Sequence, residues 1–237
     1  MDRRQFIMAS MAATVPWPAR ADARADGRAL VAVATNFSKV AEGLLPAFTA
    51  ATGYQITLSS GSTGQLYGQV VNGAPYDAFL AADQARPALL EAAGLSRKRF
   101  TYARGLLALM AAEGTASQAS LAKDFAHLAI ANPGLAPYGL AAKQALTALG
   151  LWEGLSPRIV MGQNVGQAYA LVASGNADLG LVARAYALEG AWNVPEALYA
   201  PILQDAVLLT ENEAAAAFVD YLTTAQADIR AAGYGAL

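Results

Sequence analysis

The chain has 237 residues, 55% of them hydrophobic and 14% charged, with 16 basic against 18 acidic side chains. No basic excess exists to neutralise a phosphate backbone, which argues against a nucleic-acid partner. It has no cysteine and a single histidine, His127; this excludes disulfides, thiolate metal sites and a lipid anchor on an N-terminal cysteine, and disfavours a Ser-His-Asp arrangement.

In chain order, residues 1–23 read as an export signal. Arg3 and Arg4 precede an apolar run over residues 6–15, and Ala19-Arg20-Ala21 and Ala21-Asp22-Ala23 supply small-residue cleavage sites. The run is about 10 residues, well short of the roughly 20 that span a bilayer. Pro16 and Pro18 disfavour a buried helix there, and Arg3-Arg4-Gln5-Phe6 also fits a twin-arginine signal. Cleavage near Ala23 leaves about 214 residues with a net charge of about −3 and no 18-residue apolar run, so the mature chain is expected to be soluble.

Residues 30–34 then read as a short buried strand. Phe37, Val40, Ala41, Leu44, Leu45 and Phe48 recur at helical spacing, with Lys39 and Glu42 on the other face, and Gly53 closes that helix. A strand over 55–59, a helix over 63–71, a turn at Asn72-Gly73-Ala74-Pro75 and a strand over 78–81 follow. The pattern continues with a helix at 87–93, a long extended stretch at 100–111 and a strand at 128–131. A helix at 139–149, a strand at 158–161, a helix at 165–174 and a strand at 179–182 come next. A last strand at 207–210 precedes helices at 213–222 and 226–232. Strands alternating with helices of this length predict an α/β architecture with parallel sheets.

Four loops between a strand and a helix share one chemistry: Ala34-Thr35-Asn36-Phe37, Ser59-Ser60-Gly61-Ser62-Thr63-Gly64, Asn132-Pro133-Gly134-Leu135-Ala136-Pro137-Tyr138-Gly139, and Gly162-Gln163-Asn164-Val165-Gly166. Ligands of open α/β sheets bind at the carboxyl ends of strands, where these loops fall. Their donors are neutral: hydroxyls of Thr35, Ser62 and Thr63, the Asn36 amide and the Tyr138 phenol. Gly64 and Gly166 would let the backbone approach a ligand closely. Each loop also feeds a helix N-terminus, whose free N–H groups and dipole favour an anion. Any one of Asn36, Ser62 or Thr63 alone is an ordinary N-cap, and residues 60–64 lack the Gly-Lys-Ser/Thr ending of a nucleotide P-loop. The recurrence across four loops carries the anion reading.

No carboxylate lies in these loops. Phosphate near neutral pH carries a proton and wants an acceptor, whereas molybdate, tungstate and sulfate are fully ionised and suit a donor-only site. A binding protein for sulfate, phosphate or another small oxyanion is the nearest alternative. A secreted hydrolase lacks support: there is no Gly-x-Ser-x-Gly elbow, and the loops hold no carboxylate pair. Asp77 and Asp83 are expected to fix loop geometry, Arg104 and Arg184 to be surface or hinge residues, and Trp152 and Trp192 to serve packing or the surface.

At these loops the sequence resembles the periplasmic molybdate-binding proteins of ABC transporters, from about Leu30 to the C-terminus. The segments Asn72-Gly73-Ala74-Pro75-Tyr76-Asp77, Ala81-Ala82-Asp83, Asn164-Val165-Gly166-Gln167-Ala168 and Ala173-Ser174-Gly175-Asn176-Ala177-Asp178-Leu179-Gly180 carry it together with the four loops. The resemblance implies two lobes, each a mixed sheet flanked by helices, joined by crossing hinge strands. Lobe one would hold residues 27–102 plus 207–237, and lobe two residues 103–204, with the ligand in the cleft. Oxyanion-binding residues carried over by position are Thr35, Asn36, Ser62, Thr63, Tyr138 and, through its backbone N–H, Val165. Many relatives place a binding tyrosine after the strand matching 179–182, where this chain has Ala183; a subset carries it in the Ala-Pro-Tyr-Gly loop, as here. The resemblance further implies no cofactor and no cation ligand, molybdate or tungstate as cargo, a membrane ABC permease as partner, a periplasmic location and a monomer.

Overall fold

The computed structural model describes residues 27–237; the export signal expected over residues 1–23 lies outside them. The strands are β1 (Arg28–Ala34), β2 (Gln55–Gly61), β3 (Ala78–Leu80), β4 (Lys98–Gly105), β5 (Leu107–Ala111), β6 (Leu128–Ala131), β7 (Ile159–Gly162), β8 (Leu179–Ala183), β9 (Trp192–Asn193) and β10 (Ile202–Leu208). The α-helices are α1 (Thr35–Thr52), α2 (Thr63–Val71), α3 (Ala85–Ala92), α4 (Pro137–Ala148), α5 (Trp152–Leu155), α6 (Val165–Ala173), α7 (Glu213–Thr224) and α8 (Gln226–Ala231). They build two five-stranded sheets, ordered β2-β1-β3-β10-β4 and β7-β6-β8-β5-β9. The molecule is therefore a two-lobed α/β fold with helices flanking each sheet.

Burial explains why the central strands read as continuous apolar runs. In β1, Val31 and Val33 face one side and pack with Phe37 and Phe48 of α1 and Phe218 of α7. Ala32, pointing the other way, joins Leu66 of α2 and Leu90 of α3. A strand covered on both faces has no polar face to alternate with. Helix α1 ends where expected, at Gly53 with φ 76°, a left-handed cap that glycine adopts without strain.

Both sheets are mixed, and here the pairing expected from strand–helix alternation is corrected. Strands β2, β1 and β3 run parallel, as do β7, β6 and β8. Strand β10 runs antiparallel to β3 and β4, and β5 antiparallel to β8. The stretch expected as one extended segment at 100–111 is two strands in different sheets, separated by Leu106 alone. The antiparallel strands are those next to the crossings, because the chain enters them from the other lobe and not through a helical crossover. The sheet change falls at Leu106 and again between β9 and β10, so the expected lobe ends at 102 and 204 fall inside β4 and β10.

Strand β10 also starts five residues before the strand expected at 207–210. Its first half contains Gln204 and Asp205, polar residues that look like loop but are fully buried. Asp205 accepts from Arg99 Nη1 at 2.6 Å, Thr101 Oγ1 at 2.7 Å and Gln84 Nε2 at 3.1 Å. A register shift between Gln204 and Asp205 marks a bulge in the β10–β4 ladder, a device that re-aims neighbouring side chains. The carboxylates expected to fix loops do so. Asp77 accepts from Leu30 N (2.8 Å) and Thr210 Oγ1 (3.1 Å), and Asp83 accepts from Arg86 N (3.1 Å) and Nη1 (2.5 Å). Among the described residues, no helix is long and apolar enough to cross a membrane.

Candidate functional site

Four helices begin at the carboxyl ends of β1, β2, β6 and β7 or their following loops, and their first turns converge on one small cavity between the lobes. Lobe one supplies Ala34, Thr35 and Asn36 at the start of α1, and Gly61, Ser62 and Thr63 at the start of α2, with Ala82 after β3. Lobe two supplies Ala136, Pro137 and Tyr138 at the start of α4, and Asn164 and Val165 at the start of α6. All six residues singled out from the sequence thus line one space. None of the lining residues carries a charge.

The caps leave N–H groups free to face an occupant. Ser62 Oγ accepts from the third N–H of α2, and Asn164 Oδ1 from the third N–H of α6; neither cap uses the N–H groups of Thr63, Val165 and Gly166, while the Gly64 N–H is taken by Leu135 O. Ala34 and Ala136 have no capping side chain at all. Pro137 has no N–H to offer, so the α4 turn presents Tyr138 instead. Such ends carry partial positive charge, each stabilising an anion by about 0.3–1 kcal/mol when exposed and up to about 2 kcal/mol when partly buried.

The side chains are held in distinct ways. Thr63 Oγ1 accepts from Ala82 N at 3.1 Å, which leaves its own proton to donate. Thr35 Oγ1 donates to Gly61 O at 3.0 Å, and Ser62 Oγ to Gln65 Oε1 at 2.9 Å. Asn36 uses both amide protons inside the protein, on Gln204 Oε1 (2.8 Å) and Tyr234 Oη (3.0 Å). What Asn36 presents to the cavity as a donor is its backbone N–H.

A bacterial extracellular solute-binding protein family model matches residues 29–235. The molybdate-binding protein ModA of Azotobacter vinelandii is 44% identical over 223 residues, covering 86% of this chain and 88% of that one. ModA of Rhodobacter capsulatus is 42% identical over 224 residues, with 89% of each chain covered. The solved structure of the periplasmic molybdate-binding protein of Azotobacter vinelandii superposes with a TM-score of 0.84 at 41% identity, covering 88% of this chain and 99% of that chain. The chain belongs to the ModA family of bacterial extracellular solute-binding proteins. This is a transport family and not a catalytic one.

Around the cavity the two lobes touch directly. Gly64 N donates to Leu135 O at 2.9 Å, Arg86 Nη2 to Gly134 O at 3.1 Å and Gln65 Nε2 to Gln163 Oε1 at 3.3 Å. On the other side Tyr186 Oη donates to Thr35 O at 2.7 Å, and Lys39 Nζ sits over the rings of Tyr186 and Tyr169. The two glycines expected to let the backbone approach a ligand also lie against the other lobe. A Cβ on Gly64 would stand 3.0 Å from Leu135 O, and one on Gly166 2.5 Å from Thr35 Cγ2.

Behind the cavity lies a polar cluster that the four loops do not reveal. Gln204 Oε1 accepts from Tyr102 Oη at 3.1 Å as well as from Asn36, and Gln204 Nε2 donates to Tyr138 Oη at 3.2 Å. Tyr234 Oη donates to Asn36 O at 2.7 Å. Tyr102, Gln204 and Tyr234 come from β4, β10 and the C-terminus, so no loop motif announces them. The one available signal was the Gln204-Asp205 pair inside an otherwise apolar segment. Arg104 lies at the same crossing, ion-paired with Glu196 and with its carbonyl accepting from Gly235 N at 2.8 Å.

Burial pushes the phenols of Tyr102, Tyr138 and Tyr234 above their ordinary value of 10.0, so all three stay protonated at neutral pH. The unfolded chain binds fewer protons than the native one above pH 10, so stability falls as pH rises past that point. Burial pushes Tyr186 and Tyr199 up as well, so they add to the same loss. Urea unfolding between pH 8 and 11 is expected to show this loss, with a shallower slope in Tyr102→Phe. A slope unchanged by that substitution would mean the phenol ionises equally in both states.

Proposed function

We propose that the protein captures molybdate, and tungstate with it, in the cavity between its lobes and delivers the anion to an ABC permease in the cytoplasmic membrane. The observation that carries this reading is the convergence of four helix N-termini from both lobes on a cavity with no charged lining residue. Such a site holds a dianion through N–H and O–H donors alone. The lining offers no carboxylate to accept the proton that phosphate keeps near neutral pH, which favours a fully ionised tetrahedral anion. The likeness to the ModA proteins of Azotobacter vinelandii and Rhodobacter capsulatus supports molybdate as the cargo. Thr63 supplies a hydroxyl, Val165 and Asn36 supply backbone N–H groups, and Thr35, Ser62 and Tyr138 complete the wall. Contacts to both lobes favour the closed form, which the permease would distinguish from the open one. The protein works in the periplasm as a monomer.

The test is calorimetric titration of the anion-stripped protein with molybdate, tungstate, sulfate and phosphate in a buffer free of all four. Molybdate or tungstate is expected to bind with sulfate at least about tenfold weaker, a gap of about 1.4 kcal/mol. Tighter sulfate or phosphate binding would replace the ligand while keeping the site. No binding of any of the four would overturn the function.

A further inference from the structure

We propose that Gln204 is the positioning residue of the oxyanion site: one buried amide that sets the Asn36 wall of lobe one against the Tyr138 wall of lobe two. This rests on the oxyanion reading above. Gln204 does not line the cavity and would not touch an anion. It is completely buried on strand β10, beside the register shift at which Tyr102 of β4 is skipped.

Its amide meets three side chains from three parts of the fold. Oε1 accepts from Asn36 Nδ2 at 2.8 Å, on the first turn of α1, and from Tyr102 Oη at 3.1 Å, on β4. Nε2 donates to Tyr138 Oη at 3.2 Å, on the first turn of α4. Asn36 and Tyr138 belong to different lobes and both line the cavity. Only a side chain with an acceptor and a donor on one head group can serve both at once, and glutamine does so without a charge that would compete with the anion.

The neighbouring backbone is shaped for the pair. Gly105, the last residue of β4, has no side chain, and a Cβ there would stand 2.2 Å from Tyr138 Oη and 2.6 Å from Gln204 Nε2. The phenol and the amide occupy that space. Separating the lobes pulls Asn36 and Tyr138 apart, so the Gln204 bonds to both are complete only in the closed arrangement. Partial loss of such a fully satisfied buried network leaves its remaining groups unpaired.

The experiment is a double-mutant cycle on molybdate affinity, combining Gln204→Met with Tyr138→Phe, alongside thermal unfolding of each anion-free variant. Gln204→Met is expected to weaken molybdate at least tenfold in the wild-type background and by less than threefold when Tyr138 is already Phe. Gln204→Glu keeps an oxygen for Asn36 and Tyr102 but removes the donor to Tyr138, and a loss of at least tenfold is expected there too. Wild-type affinity in either folded variant, or equal losses in both backgrounds, overturns the positioning role. If neither variant folds, Tyr102→Phe, which removes one bond to Gln204 Oε1 at a residue outside the cavity lining, decides: a loss of at least threefold supports the role and unchanged affinity overturns it. A wild-type protein that binds none of molybdate, tungstate, sulfate and phosphate would instead overturn the oxyanion reading itself, and the role of Gln204 with it.

Discussion

Gly166→Val is expected to lower molybdate affinity by roughly a hundredfold while leaving the anion-free protein near wild-type stability. Gly166 is the second residue of α6 in lobe two, and a Cβ there would stand 2.5 Å from Thr35 Cγ2 on α1 of lobe one. Thr35 has little room to yield. Its hydroxyl is tied to Gly61 O at 3.0 Å, and its carbonyl accepts from Ser38 Oγ and Tyr186 Oη at 2.9 and 2.7 Å. The 2.5 Å clash arises where the lobes meet, whereas within its own lobe the nearest atom, Asn164 Oδ1, stands at 3.3 Å, so most of the cost falls on the state in which the lobes touch. Overpacking of this kind costs about 1–3 kcal/mol, and apparent affinity drops with the fraction of molecules able to close. Valine stands near the upper end of that range, alanine lower. Titration with molybdate and urea unfolding without anion separate the two effects. Undiminished affinity in a folded Gly166→Val protein would mean the anion is held without this approach of the lobes.

Removal of the Thr63 hydroxyl is the second large effect. The residue is 1% exposed, and its Oγ1, fixed by Ala82 N at 3.1 Å, stands on the cavity wall with a proton to give. A hydrogen bond to a charged group contributes about 1.5–3 kcal/mol, so Thr63→Ala should weaken molybdate roughly ten- to a hundredfold. It also leaves the buried Ala82 N–H without its acceptor, at about 1 kcal/mol of stability. Thr63→Ser restores both bonds and should keep most of the affinity. Equal binding by wild type and Thr63→Ala, measured by titration, would remove Thr63 from the ligand set.

How much of this was legible in advance depends on the range of the interactions involved. The boundaries of α2 and β6 follow from local patterning alone, since each is an apolar segment between clear stops. The site was legible because helix N-termini are local features: a Ser, Asn or Gly loop after a strand predicts where free N–H groups lie. Thr35, Asn36, Ser62, Thr63, Tyr138 and Val165 meet in one cavity because α/β folding brings strand ends together. The roles within the site were less visible. Asn36 looked like an amide donor to the anion, yet both its protons go to Gln204 and Tyr234, residues 168 and 198 positions away.

By itself the sequence determined the α/β class, the helix starts that face the cavity and the neutral character of their donors, because propensity, capping and periodicity act over a few residues. The tertiary structure decided what depends on distant segments meeting. It split residues 98–111 between two sheets at Leu106, made β10 antiparallel and extended it through Gln204 and Asp205. It also placed Gly64 and Gly166 against the opposite lobe. A buried polar residue reads as loop until its partners are known, and those partners come from segments distant in the chain.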